Sequence, residues 1–383
     1  MRFSADKLML TGLLLFAIAE ALTHYGQVYP DSPGYFMATH FFQGRAPTTG
    51  SWQFRLLRPL VPFLASFAND VINIRASFAF VNMILWCASV VVMFYFTKLL
   101  TNDDYAALFS SALFASAIPM LLFADAALTD MGGYFFILLA VYLAVRWDIP
   151  RASVRRVCLM ALVLAVGILA RESVASALLF VVVYTLWSSR SLSRAAVLFA
   201  IPLIVSLGWS HAIGVSYAAW YAQGGLSYAA AVQPLSPLRK VVRFLGSIQY
   251  SFGDTPFVLL LAILGFLGIH DRNRIKIHVS IWVGAAAIIV AWPIIDTRFS
   301  FILFPSVFPL AGLGLEEGYR IIFKSKLVEE IFPSLADSPQ LRYAFLLLAV
   351  GIYAAITNAV LRGYVSLPWM PYTDPTVKPA DIT

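Results

Sequence analysis

Apolar residues in this chain gather into runs of about 17 to 22 positions, which short polar segments separate. A helix of that length crosses a bilayer core of about 30 Å. Because backbone polar groups in lipid must be paired within the spanning structure, the runs are predicted to be α-helices. The pattern predicts an all-α polytopic membrane protein with about eleven transmembrane helices, at roughly 8–24, 76–97, 105–123, 128–146, 155–170, 173–188, 195–214, 255–270, 278–295, 299–316 and 343–361.

The basic residues favour one class of loop. Sixteen of the 27 lysines and arginines fall in alternate polar segments that begin with Arg2 and Lys7. Such a bias marks the cytoplasmic side, so the N-terminus is predicted to be cytoplasmic and the C-terminus outside. The first apolar run has the charged start of a signal peptide but contains Glu20 and lacks a clear cleavage site. It is therefore interpreted as a retained span.

Three longer polar segments complete the predicted organisation of residues 1–383 as a single transmembrane domain. Residues 25–75 form a first outer loop, 215–254 a second outer loop, and 317–342 a cytoplasmic loop. Within the first outer loop, residues 54–64 predict a short amphipathic helix in the membrane interface, with its arginines toward the lipid headgroups.

Composition agrees with a membrane protein. The chain of 383 residues is 60% hydrophobic and 12% charged, with a mean hydropathy of +0.80, whereas soluble domains carry about a quarter charged residues. The net charge of +7 does not indicate nucleic acid, since the basic residues lie between spans. Cys87 and Cys158 lie within or beside apolar spans and form no metal-binding or disulfide pattern.

Ionisable residues mark the outer ends of several spans. Ionisable groups at membrane depth are candidates for function. The residues are Asp31, Asp125, Asp130, Arg171, Glu172, Asp296 and Arg298.

Asp31 and the acidic pair near position 128 each allow two interpretations. Asp31 precedes Ser-Pro-Gly, so it either caps a helix or faces a cavity as a general base. Asp130 suits the N-terminus of a helix, where the dipole favours a carboxylate. Together with Asp125 and Asp31 it would alternatively hold a divalent cation, Mg or Mn, or orient the hydroxyls of a sugar.

The remaining candidates are Arg171 with the adjacent Glu172, Arg298 and His24. Arg171 and Glu172 join two spans, either as an internal ion pair that closes a hairpin or as a phosphate site built on the arginine. Arg298 follows Asp296 and either extends to the interface or binds phosphate. His24 either contacts phosphate or is solvated. Because no nucleotide-binding motif or large cytoplasmic domain is present, a donor used outside is expected to be a membrane lipid.

Five segments together resemble the polytopic GT-C glycosyltransferases of the bacterial type, which use polyprenyl-phosphate sugars. The resemblance begins with the acid of the first outer loop and continues in the same order and sidedness. The segments are Tyr29–Tyr35, Arg55–Pro62, Leu128–Phe136, Gly167–Ser173 and Asp296–Pro305. The acid loop lacks the paired Asp-Glu of protein mannosyltransferases.

The resemblance implies an inverting transfer of a sugar from a polyprenyl-phosphate donor to a lipid, glycan or protein acceptor on the extracytoplasmic side of a bacterial inner membrane. Asp31 is then the catalytic base. Arg171 and Arg298 would stabilise the departing phosphate, and Asp125 or Asp130 would position the sugar or a cation. The candidate substrate- and phosphate-binding residues are His24, Arg58, Asp125, Asp130, Arg171, Glu172 and Arg298.

Two other classes of function stay open at the level of sequence. A lipid-linked glycan or solute transporter, or a flippase, also needs charges within the membrane, although it usually shows repeats or broken mid-span helices. A polysaccharide polymerase or ligase commonly has a large outer loop with several basic residues. Arg239, Lys240 and Arg243 in the second outer loop fit that alternative.

Overall fold

The structure is a computed structural model that describes residues 8, 10–15, 18, 29, 31–45, 51–124, 126–220, 238, 241–242, 245, 248, 256–291, 301–323 and 338–365. Within these ranges the chain is helical and has no β-strand, as the sequence predicts. The α-helices are α1 (Ser32–Phe42), α2 (Leu60–Ala68), α3 (Ile74–Thr101), α4 (Asp104–Ala115), α5 (Ile118–Phe123), α6 (Asp130–Arg146), α7 (Val154–Ala170), α8 (Ala175–Ser189), α9 (Leu192–Ala212), α10 (Tyr217–Trp220), α11 (Pro256–Leu267), α12 (Arg272–Ala291), α13 (Phe304–Phe323) and α14 (Pro339–Val365). Short 3-10 helices lie at Ser51–Leu57, Ile149–Arg151 and Glu172–Val174.

Several helices have the length and composition of membrane spans. Among the described residues, 5 segments are long and apolar enough to cross a membrane: Ile74–Thr101, Glu172–Ser189, Leu192–Ala212, Phe301–Phe323 and Gln340–Thr357. The protein is therefore an integral membrane protein. The helices α6 and α7 lie on predicted spans and have 17 residues each. The count of about eleven spans stays a prediction.

The third predicted span, 105–123, is two helices rather than one. The helix α4 ends at Ala115, and α5 begins at Ile118 with Pro119 in its first turn. Proline has no amide hydrogen to donate to the preceding turn, so an uninterrupted helix through this position would lose a backbone hydrogen bond. Residues 106–123 are all buried on both sides of the break, so hydrophobicity alone does not show it.

Glycines allow α11 and α13 to pack with their backbones nearly in contact. A Cβ atom at Gly265 would overlap the carbonyl of Leu310, and one at Gly314 would overlap the carbonyl of Leu261. Small residues permit such close approach between helices in membranes, where packing replaces the hydrophobic effect as the source of association. These contacts fix α13 against its neighbour.

Charges from the predicted cytoplasmic loop 317–342 lie partly in helices. The helix α13 continues to Phe323, and α14 begins at Pro339. On α14, the Arg342 guanidinium donates to Glu316 Oε2 of α13 and to Asp103 Oδ2, each at 2.9 Å. It also stacks over the ring of Tyr105, 3.7 Å from the centroid. Arg342 therefore joins α14 to α4 and α13 by ion pairing and stacking.

Candidate active site

Asp31 lies directly before α1, where the sequence allows either a helix cap or a base. Its backbone occupies the capping position, but its side chain makes no capping hydrogen bond. The carboxylate instead accepts a hydrogen bond from Arg55 Nη2 at 2.6 Å. The side chain of Asp31 is 38% exposed. The capping interpretation of this carboxylate is therefore wrong, and the group is accessible.

Arg58 and Glu172 form a buried ion pair across the site. Arg58 donates from Nε to Glu172 Oε2 at 2.5 Å and from Nη2 to Glu172 Oε1, which makes the pair bidentate. The side chains are only 11% and 14% exposed. Burial lowers the pKa of Arg58, but attraction to Glu172 and hydrogen bonds to Glu172 and Tyr35 outweigh it and raise that pKa above its ordinary value. Arg58 therefore stays charged.

Arg171 pairs with the carboxylate at the start of α6. Its Nη1 donates to Asp130 Oδ2 at 2.7 Å and to Thr129 Oγ1 at 3.3 Å. Asp130 is fully buried, in the first turn of α6, where the helix dipole favours a negative charge. Gly133 lets the arginine pass, because a Cβ there would lie 3.0 Å from Arg171 Cδ.

Tyr35 connects the three ion pairs. This tyrosine of α1 is completely buried. Its hydroxyl accepts hydrogen bonds from Arg58 Nη1 at 2.6 Å and from Thr129 Oγ1 at 3.3 Å. Its ring lies 5.2 Å from the guanidinium carbon of Arg55. Tyr35 therefore contacts Arg55 and Arg58 directly and is linked to Arg171 through the hydroxyl of Thr129.

Other parts of the chain hold these groups in place. The buried amide of Asn82 in α3 donates to the carbonyls of Ala126 and Leu128, which fixes the loop before Asp130. Near the C-terminal end of α9, Trp209 Nε1 donates to the Leu56 carbonyl at 2.7 Å. Tyr217 donates to the Leu57 carbonyl at 3.3 Å, and burial raises the pKa of this phenol, so it remains a donor. The segment that carries Arg55 and Arg58 is thus held on both sides.

One expectation from the sequence, and one of two alternative interpretations, are wrong in detail. Arg55 and Arg58 were expected to face lipid headgroups, but both point to carboxylates inside the site. The charges of the tight joint between α7 and α8 do not close the hairpin by pairing with each other, since Arg171 pairs with Asp130 and Glu172 with Arg58. In both cases a carboxylate on a distant element gives the guanidinium a stronger partner than lipid or the adjacent residue.

Several predicted residues lie outside the part of the chain that the structure describes. These are His24, Asp125, Asp296 and Arg298. Among the described residues, no group of three or more His, Cys, Asp or Glu side chains is arranged to hold a metal ion. The proposed cation site included Asp125, so it stays a prediction.

Sequence reasoning missed Tyr35, Thr129 and the pairing of Arg55 with Asp31. Tyr35 follows Asp31 by four residues, so it lies on the same face of α1. That spacing is the only sequence signal for its position. Nothing in the sequence indicates that Thr129 contacts its hydroxyl, because that contact depends on how α1 and α6 pack.

Comparison with solved structures places this site in a known fold. ArnT from Cupriavidus metallidurans in the apo state superposes with a TM-score of 0.59 at 15% identity, over 92% of this chain and 76% of that one. The same protein bound to undecaprenyl phosphate gives 0.58 at 16%, over 92% and 73%. No protein-family model and no curated protein sequence matches the chain.

A second neighbour is the archaeal oligosaccharyltransferase AglB from Archaeoglobus fulgidus, in complex with an inhibitory peptide and a dolichol-phosphate. Its TM-score is 0.53 at 12% identity, over 93% of this chain and 56% of that one. ArnT and AglB are both GT-C proteins. The agreement covers nearly the whole of the present chain while the identity is low, so it concerns the fold. The chain therefore shares its fold with these two proteins.

Proposed function

We propose that this protein is a membrane glycosyltransferase that transfers a sugar from a polyprenyl-phosphate donor to a hydroxyl group of an acceptor. The acceptor is a lipid, a glycan or a protein. The fold supports this proposal, as do the lipid phosphates bound in structures of ArnT and AglB. Transfer takes place on the extracytoplasmic side of a bacterial inner membrane, because the basic loops face the cytoplasm in the predicted topology.

The observation that carries the proposal is the accessibility of one carboxylate. Asp31 is 38% exposed, whereas Glu172 and Asp130 are 14% and 0% exposed in their ion pairs. A general base must reach the proton that it removes. Of these three carboxylates, Asp31 is therefore the one suited to act on an acceptor.

The reaction is a single displacement. The carboxylate of Asp31 takes the proton of the acceptor hydroxyl while that oxygen bonds to the anomeric carbon. The bond from this carbon to the phosphate oxygen breaks, and its electron pair leaves on polyprenyl phosphate. Attack from the face opposite the leaving group inverts the anomeric centre.

Three arginines stabilise the departing phosphate. Arg58, Arg171 and Arg298 supply the positive charge that stabilises the negative charge growing on the leaving group. Asp130 and Glu172 keep Arg171 and Arg58 in place. Because Asp130 is fully buried, we assign it to holding Arg171 rather than to direct contact with a sugar.

The replacement of Asp31 by asparagine tests the proposal. Asn keeps the size of the side chain and removes the base, so turnover is expected to fall by about 10²- to 10⁴-fold. The measurement is release of radiolabelled sugar from a polyprenyl-phosphate donor by purified protein in nanodiscs. The matched control is Asp70→Asn, since Asp70 belongs to an exposed pair with Arg45 in the same outer loop.

The control is expected to keep its turnover within about twofold, because exposed ion pairs contribute little to stability. Near-normal turnover of Asp31→Asn would remove Asp31 from the mechanism. A wild-type protein that moves the donor across the bilayer and leaves its sugar attached would instead support the transporter alternative.

A further inference from the structure

Arg55 is the most accessible of the three arginines in the described part of the site. Its side chain is 25% exposed, against 11% for both Arg58 and Arg171. It makes a single hydrogen bond of 2.6 Å to Asp31, whereas Arg58 makes a bidentate pair and a further bond to Tyr35. The Asp31–Arg55 pair is thus the one that an incoming anion can open most readily.

The chain is shaped to bring Arg55 to the carboxylate of Asp31. The arginine side chain passes directly over Gly34, where a Cβ atom would lie 2.9 Å from Arg55 Cγ and 3.2 Å from its Nε. The guanidinium then lies over the ring of Tyr35, with its carbon 5.2 Å from the ring centroid. Gly34, in the first turn of α1, leaves room for the Arg55 side chain, and the ring of Tyr35 lies beside its guanidinium. Together these two residues direct Arg55 toward Asp31.

We propose that Arg55 is a positioning residue that exchanges partners, from the carboxylate of Asp31 to the phosphate of the lipid donor. Before the donor binds, the carboxylate of Asp31 is occupied by its charge-assisted hydrogen bond from Arg55. Two oxygens of the donor phosphate can accept hydrogen bonds from the guanidinium at the same time. The guanidinium therefore leaves Asp31 for the phosphate. Donor binding thereby frees the carboxylate for the acceptor hydroxyl. This inference rests on the proposed function.

The exchange has a thermodynamic consequence that does not involve turnover. If Asp31 and the phosphate compete for Arg55, then removal of the carboxylate charge must strengthen phosphate binding. The gain must also vanish when Arg55 is absent. These two statements can be measured at equilibrium with the product, polyprenyl phosphate, and without any acceptor.

The experiment measures the affinity of polyprenyl phosphate for four proteins in phosphatidylcholine nanodiscs: wild type, Asp31→Asn, Arg55→Gln and the double variant. Asp31→Asn is expected to bind about three- to tenfold more tightly than wild type, which is the range for release of a partly exposed ion pair. Arg55→Gln is expected to bind about tenfold more weakly. The double variant is expected to match Arg55→Gln.

Further variants and ligands serve as controls. Arg45→Gln removes an equal charge from the exposed Arg45–Asp70 pair and is expected to leave the affinity unchanged. Arg55→Lys keeps the charge and is expected to recover part of the binding and to bring the donor KM back toward that of wild type. Phosphatidylglycerol nanodiscs and added inorganic phosphate show whether the site responds to any anionic headgroup or to free phosphate.

The possible failures are distinct. If wild type binds no polyprenyl phosphate, the donor class in the proposed function is wrong and the exchange falls with it. If wild type binds but Asp31→Asn gains nothing, or keeps its gain in the double variant, the exchange alone is overturned. An equal response to phosphatidylglycerol or inorganic phosphate would overturn the assignment of the lipid donor as the ligand of Arg55.

Discussion

At the scale of single residues, the site consists of arginines whose charges are matched by carboxylates of different accessibility. The Arg58–Glu172 pair is buried and the Asp31–Arg55 pair is half-buried. Burial decides the consequence of breaking a pair, because a charge left alone in a medium of low polarity loses the solvation that water would supply. The same residue type is therefore held firmly in its ion pair at position 58 and less firmly at position 55.

The buried pair makes a prediction about stability. Glu172→Leu leaves Arg58 charged and buried without its partner, so the free energy of unfolding is expected to fall by about 3 to 5 kcal/mol. Combining it with Arg58→Met removes both charges and is expected to recover most of that loss without restoring activity. Thermal unfolding in one detergent measures both. Simple additivity of the two single substitutions would show that the charges are not coupled.

At the scale of elements, the site depends on how short helices and their ends are held. The helices α6, α7 and α8 present their ends at one place, where Asp130, Arg171 and Glu172 meet. Asn82 and Trp209 fix the two connecting segments through backbone carbonyls. Close helix packing elsewhere, as between α11 and α13, keeps the bundle from adjusting freely.

Close packing of α11 and α13 is tested by two alanine substitutions in α13. Gly314→Ala places a Cβ against the carbonyl of Leu261, so the helices must separate and the thermal stability is expected to fall. Gly318→Ala meets no atom within 4 Å and is the matched control. Alanine favours a helix by about 1 kcal/mol over glycine, so the control is expected to be neutral or slightly stabilising. Equal unfolding temperatures for the two variants would contradict the packing.

At the scale of the whole molecule, function depends on the sidedness of the membrane. The predicted topology places the charged span ends, and with them the candidate site, in one compartment and the arginine-rich loops in the other. The fold shared with ArnT and AglB agrees with a polytopic arrangement. The donor and the base must share one compartment for the proposed reaction to occur.

Sidedness is tested by cysteine labelling in a background without Cys87 and Cys158. Arg45 is 62% exposed and lies on a loop predicted to be outside. Arg151 is 77% exposed and lies on a loop predicted to be inside. A membrane-impermeant maleimide is expected to label Arg45→Cys in intact cells and Arg151→Cys only after permeabilisation. Arg298→Cys is expected to behave as Arg45→Cys does. Labelling of positions 45 and 298 from opposite sides would contradict the proposed site.

The sequence by itself determined the membrane class, the positions of most helices and the identity of the ionisable residues at their ends. These follow from local properties, since a run of apolar residues must form a helix in lipid wherever it lies in the chain. It also predicted Asp31, Arg58, Asp130, Arg171 and Glu172 as site residues, and the structure places all five in one network.

Only the tertiary structure decided which charges meet. Arg58 and Glu172 are 114 residues apart, and Tyr35 and Thr129 are 94 apart. Such contacts depend on the packing of helices that are remote in the chain, and hydrophobic patterning gives no register for that packing. The pairing of Arg55 with the partly exposed carboxylate of Asp31 follows from this packing and from the absence of a side chain at Gly34.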